Sequence, residues 1–198
     1  FVVNDDQRRA TLDANTSSGS ANQRRPREQL LVHHDGDEVS LGLYLDASAL
    51  ANLERHDPRG GLSDHNFGDF CLAVEGVSHF IYVAHCAAAN RQVSALELEL
   101  QAEVDKFVSC VLVDQHVASR PHELRVRLYE NVRYANDLDA DEHDRYTTAN
   151  RHARNYASAL ARRYLEHANV PEMLSELRRF YRLPLDAKLG HIAKSAAS

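Results

Sequence analysis

Residues 66–117 read NFGDFCLAVEGVSHFIYVAHCAAANRQVSALELELQAEVDKFVSCVLVDQHV, and the fold turns on whether this stretch is helix or strand. In its first half Phe67, Phe70, Val74, Val77, Ile81 and Ala84 recur at steps of three or four. That is the period of one helix face, and Phe80 and Val83 widen it until little of the surface is polar. The spacing predicts a helix from about Asn66 to Ala89, buried because it is apolar nearly all round. In the second half Leu96-Glu97-Leu98-Glu99-Leu100 alternates like a strand. Against that, Leu96, Leu100, Val104, Phe107, Val108 and Val111 keep helical spacing, and Ser94 with Glu97 forms a capping-box signature. A second helix over about 94–117 follows. About four residues join the two, so they should lie side by side and antiparallel.

The sequence on both sides agrees with a helical fold. Asp46 can cap a short helix through His56, ended by Asp57-Pro58 and Gly60-Gly61. Pro121 suits the first turn of a helix to about Tyr134. Further helices are expected over about 141–167, from Pro171 through Tyr181, and over about 186–194. The last part carries Leu177, Phe180, Tyr181, Leu183, Leu185 and Leu189, which either pack internally or dock elsewhere.

Only one segment breaks the pattern. Asp35-Gly36 lies between Gln29–His34 and Asp37–Leu45, and Asp-Gly is a favoured two-residue hairpin loop. That loop sets Val32 opposite Val39 and Leu30 opposite Leu41, on one face with Leu43 and Leu45; His33, Glu38, Ser40 and Tyr44 take the other. Two strands alone are marginal in water, so the hairpin needs a surface to cover it. The expected fold class is therefore mainly α: an antiparallel helical bundle with an N-terminal β-hairpin packed at one side. Residues 28–198 form its single domain, with the hairpin at 28–45. Residues 1–27 are expected to be a flexible segment, because Asn15 to Ser20 is linker-like and Arg24-Arg25-Pro26-Arg27 is a charge cluster.

Composition narrows the function classes. The chain has 198 residues, 43% hydrophobic and 26% charged, with a net charge of −6. That sign disfavours nucleic acid as a partner. Twenty of its 23 basic residues are arginines, an excess that GC-rich codon usage accounts for and that also suits bidentate recognition of phosphate or carboxylate. Arg151, Arg154, Arg162 and Arg163 make one helix basic and suggest interhelical ion pairs first and anion binding second. Cys71, Cys86 and Cys110 are odd in number and widely spaced, with no C-x-x-C pair. This fits a reducing, cytoplasmic setting. The first residues do not read as a signal peptide, and Glu75, His79 and His85 interrupt the apolar run from Phe70 to Ala89, so a membrane span is not expected. Neither a nucleophile elbow nor a phosphate-binding loop is found in the sequence.

Candidate chemistry sits on the two long helices. Glu75, Ser78, His79 and Tyr82 follow one another at helical steps on the first, and Glu99 and Glu103 are four apart on the second. A carboxylate on an otherwise apolar helix must be paired, protonated or solvated. One reading makes these residues a polar pocket in a non-catalytic binding or regulatory domain without a cofactor, its partner a protein or a second copy. In the other, Glu75, His79, Glu99 and Glu103 converge on a divalent metal in a helical-bundle enzyme. The Glu-x-x-x-His spacing departs from the Glu-x-x-His of di-iron bundles. The hairpin supplies a test: Gly36→Val should lower the melting temperature by several degrees, because the favoured loop needs a positive φ there. An unchanged melting temperature would move the turn away from Gly36.

Overall fold

The computed structural model describes residues 2–4, 6–8, 26–35, 38–132, 134 and 138–196. Within them lie three strands, β1 (Val2–Val3), β2 (Glu28–Asp35) and β3 (Glu38–Leu45), and eight α-helices. The helices are α1 (Ala47–Arg55), α2 (Phe67–Ala88), α3 (Ala95–Val113), α4 (Gln115–Ala118), α5 (Pro121–Arg125), α6 (Ala140–Arg163), α7 (Val170–Tyr181) and α8 (Leu185–Ala196). The protein is a helical bundle with the hairpin packed against α2.

Local signals start and stop most of these helices. The Asp46 carboxylate accepts from the Ser48 and Ala49 amides at the start of α1. Asp139 and Glu142 complete a reciprocal capping box on α6. Ser94 Oγ accepts from Glu97 N at 3.2 Å, but only this half of the expected box on α3 forms. The helix from Ser94 ends at Val113, short of the expected 117, because Asp114 turns its carboxylate to the amides of Leu62 and His116. The helix from Pro121 is also shorter than the expected run to Tyr134: after Arg125 it loosens into a π-turn over Val126–Glu130. That turn seats Leu128 and Tyr129 in the core.

The strands pair as β1-β3-β2, with β1 parallel to β3. In the hairpin Val32 faces Leu41, Leu30 faces Leu43 and Asp35 faces Glu38. The register is thus shifted by two residues from the expected one, and residues 36 and 37, on which the expected Asp35-Gly36 loop partly falls, lie outside the described residues. Asp35-Gly36-Asp37 contains both an Asp-Gly and a Gly-Asp loop, and the choice between them preserves the parity of each strand, so every side chain keeps its face. Leu43 and Leu45 are buried on the expected face, whereas Val32 is 38% exposed. The other face is not simply polar: Leu31 and Tyr44 are buried there. The Arg8 guanidinium lies 4.9 Å above the Tyr44 ring and donates to Gln29 Oε1. Thus Val2–Val3 and Arg8, within the stretch expected to be a flexible segment, engage the sheet, while residues 9–25 lie outside the described residues.

The core lies between α3, α6, α7 and α8, around Leu100, Phe107, Tyr156, Leu160, Met173, Phe180 and Ile192. Tyr156 stacks on Phe180 with ring centres 4.3 Å apart. Phe180, Leu177, Leu183, Leu185 and Leu189 all pack internally. Arg154 pairs with Glu130 at 3.1 Å and Arg162 donates to Ser195 O, so two of Arg151, Arg154, Arg162 and Arg163 bind other elements of the chain.

Helix α2 departs from expectation. Among the described residues it is the one helix long and apolar enough, by length and composition, to cross a membrane. It is not buried all round: one side meets the hairpin and α3, while Val77 is 44% and Ile81 52% exposed. Its contact with the hairpin depends on Gly76, where a Cβ would stand 2.7 Å from Glu28 Cγ and 2.8 Å from Leu43 Cδ1. Ordinarily Gly→Ala favours a helix by about 1 kcal/mol. Here overpacking should outweigh that gain, for a net loss of about 1–2 kcal/mol. Urea unfolding of Gly76→Ala measures it, and a stabilised variant would show that the hairpin yields without cost.

Candidate functional site

The polar side chains of α2 meet those of α3 across an antiparallel register that their contacts define. Glu75 reaches Lys106, Ser78 reaches Asp105 and Tyr82 reaches Glu97, so residues advancing along α2 meet residues retreating along α3. Lys106 Nζ lies 3.0 Å from Glu75 Oε2 and 2.7 Å from Glu103 Oε1. Burial alone would push the Glu75 carboxyl up, but the Lys106 ammonium holds it below its ordinary value. Glu103 goes the other way: burial dominates and its neighbours Glu75 and Glu99 add repulsion, so its carboxyl is pushed up despite Lys106. The Tyr129 hydroxyl donates to the Glu103 backbone carbonyl at 3.0 Å.

His79 sits between two carboxylates. Its Nε2 is 3.6 Å from Glu99 Oε2 and its Nδ1 is 3.8 Å from Glu28 Oε1. These separations exceed good hydrogen bonds, so the attraction is mainly between charges. Burial disfavours the imidazolium, and the two carboxylates more than offset it, raising the group to about 10. Glu28 belongs to β2, so this cluster ties hairpin to bundle, as does the salt bridge of Arg27, just before β2, to Asp69 of α2 at 2.7 Å.

At the far end of α2 the Tyr82 hydroxyl donates to Glu97 Oε1 at 2.6 Å. Arg91 donates to the same carboxylate at 2.7 Å and to the Tyr82 hydroxyl at 2.9 Å. This explains the half-formed capping box, since the Glu97 carboxylate is turned inward. Between the two ends, Asp105 accepts from Ser78 Oγ at 2.6 Å and from Gln101 Nε2 at 2.8 Å. Lys188 of α8 donates to Gln101 Oε1. Its ammonium lies 4.5 Å from the Tyr82 ring centre and 4.8 Å from that of Phe180. Burial pushes Lys188 down to about 8, with Glu97 and Asp105 pulling it partly back. Asp105 is raised by burial, against the two donors that favour its charge.

The six expected pocket residues thus lie along one interhelical layer but not around one point. Glu75 and Glu103 are bridged by Lys106, Glu99 faces His79, and Ser78 and Tyr82 bind Asp105 and Glu97. The four-residue metal set does not assemble: among the described residues no three His, Cys, Asp or Glu side chains are placed to hold one ion. The physical reason is the Lys106 ammonium, which occupies the position a bridging cation would need. Sequence reading missed Glu28, Asp105 and Lys188. Gln101 and Asp105, four apart on a helix, were a legible hydrogen-bonding pair; Glu28 and Lys188 arrive from distant elements and left no local signal.

Above this layer runs an open trough between α2, α3 and α7. One part, of about 440 Å³, is walled by Phe70, Val74, Val77 and Ile81 of α2 and Val108 of α3, with Ser78, Asp105 and Ser109 as its polar groups. A second part, of about 390 Å³, shares Asp105, Val108 and Tyr181 with the first and continues to His85, Arg178 and Arg182. No family model matches the chain, and neither the curated proteins nor the solved structures contain a match to it.

The His79 cluster generates a test with a definite sign. A group raised from 6.5 to about 10 on folding stabilises fully below its unfolded value, and that stability is lost as pH rises through about 10. His79→Gln should cost about 3 kcal/mol near pH 6, the order expected for removing one partner of a buried pair. The difference from the parent protein should shrink steadily up to about pH 10. Urea midpoints at several pH values check this, and a pH-independent difference would remove the charge argument.

Proposed function

We propose that the protein is a non-catalytic binding domain and that the trough between α2, α3 and α7 is its binding site. One observation carries the reading: the trough wall keeps Val77 and Ile81 44% and 52% exposed. The polar side chains beneath are largely engaged with one another. Apolar surface concentrated in a concave strip, with a few convergent polar groups, is the ordinary form of a ligand site. Ser78, Asp105 and Ser109 supply those groups.

The ion-paired layer supports binding over metal chemistry, because Lys106 already neutralises the carboxylates that a metal would use. A cytoplasmic location goes with this reading. Its support is the three free cysteines, two of them buried. In the same reading α2 lies in the fold and does not span a membrane, since its inner side carries Glu75, His79 and Tyr82 in polar contacts.

Filling the trough tests the proposal. The chain contains no tryptophan, so Ser109→Trp introduces both a plug and a fluorescent reporter. Nile red, a neutral apolar dye, should bind the parent protein and bind Ser109→Trp at least tenfold more weakly, with melting temperatures within about 3 °C. Undiminished dye binding in a folded variant would locate the apolar site elsewhere.

A further inference from the structure

The trough has a direction. Along α2 its wall is the stripe Phe70, Val74, Val77 and Ile81, at steps of four, three and four. Those eleven residues of rise cover about 17 Å, or three helical turns. Past Ile81 the stripe ends between three exposed basic side chains, His85 of α2 and Arg178 and Arg182 at the end of α7. The two arginines stand one turn apart, where like charges repel unless an anion lies against them. Among the described residues neither guanidinium has an ion-pair partner.

We propose, resting on the reading of the trough as the binding site, that its occupant is an amphipathic α-helix of a partner protein whose acidic first turn meets Arg178, Arg182 and His85. Shape favours a helix over a small molecule. A small ligand is enclosed on most of its surface, whereas this trough is open along its length and keeps Val77 and Ile81 exposed. Two packed helices present a groove into which the side-chain ridge of a third fits, about 8–10 Å away. An occupant anchored at i, i+3, i+4 and i+7 matches the stripe. Charge fixes its polarity. Acidic residues stabilise a helix in its first turn, so the occupant's N-terminus lies at the basic end and the occupant runs antiparallel to α2. Asp105 does not conflict with an apolar occupant, because Ser78 and Gln101 already satisfy it.

The experiment uses the full chain and a fluorescein-labelled 18-residue model helix with a leucine stripe and three glutamates in its first turn. Fluorescence anisotropy should show saturable binding. Binding should weaken at least tenfold for Arg178→Glu/Arg182→Glu, a surface variant whose circular dichroism should match the parent. A peptide with three lysines in place of the glutamates should bind the parent at least tenfold more weakly and recover on that variant. Equal binding of both peptides to the parent protein would overturn the proposal. So would no peptide binding while Ser109→Trp still loses Nile red, a result that leaves the trough as an apolar site but not one for a helix. Sedimentation as a dimer that Ile81→Glu dissociates would assign the trough to a second copy and overturn it equally. Preferential binding to phosphatidylglycerol vesicles would assign it to a lipid surface, with the same consequence.

Discussion

A lysine held between two glutamates governs how this molecule is put together. Lys106 lies within 3.0 Å of Glu75 and 2.7 Å of Glu103. Two carboxylates brought together away from bulk water repel, and each loses hydration on burial; neither cost is met without a cation between them. The alignment of α2 and α3 places Lys106 there. That register then places Ser78 on Asp105, Tyr82 on Glu97 and His79 on Glu99. It also brings Val108 beside Val74 and Val77, which makes the trough.

Helix α2 serves two surfaces at once. Its inner side is ion-paired and hydrogen-bonded to α3 and tied to the hairpin through His79 and Glu28. Gly76 lets Leu43 and Glu28 approach its backbone. The outer side is left apolar and concave. Turning Glu75, His79 and Tyr82 inward while Val77 and Ile81 stay exposed is a local inversion of the usual arrangement of a surface helix, although Phe67 and Cys86 of the same helix are buried. The inversion is stable because the inward polar groups are mutually paired, whereas the outward strip retains its potential to bury apolar area on association.

Much of the fold was legible because its signals are local. Asp46 and Ser94 act as helix caps, Pro121 and Pro171 sit at helix starts, and α2 keeps the length its periodicity implies. The errors arose where a distant group outcompeted a local one. Asp114 ended α3 early by bonding to Leu62 across the chain. The hairpin register shifted by two residues because Asp35-Gly36-Asp37 contains two acceptable loop sequences and only packing chooses between them. Of the candidate site, every residue named from the sequence lies in the interhelical layer, but apart from Lys106, one turn from Glu103 on the same helix, the partners did not follow. Helical spacing says which side chains share a face, not which face they meet.

The sequence by itself determined the secondary structure, the antiparallel pairing of the two long helices and the presence of a polar stripe on an apolar helix. Each depends on neighbours within about four residues or on a short connection. Lys106, three residues beyond Glu103, lies within local helical reach of that carboxylate. Tertiary structure alone decided that Lys106 would also meet Glu75 and that Glu28 and Lys188 would join the layer. It also decided that the apolar side of α2 would face outward. These outcomes balance desolvation against charge pairing over contacts between residues up to 87 positions apart. No local pattern encodes that balance, because the cost of burying a charge depends on which partner the completed fold brings to it.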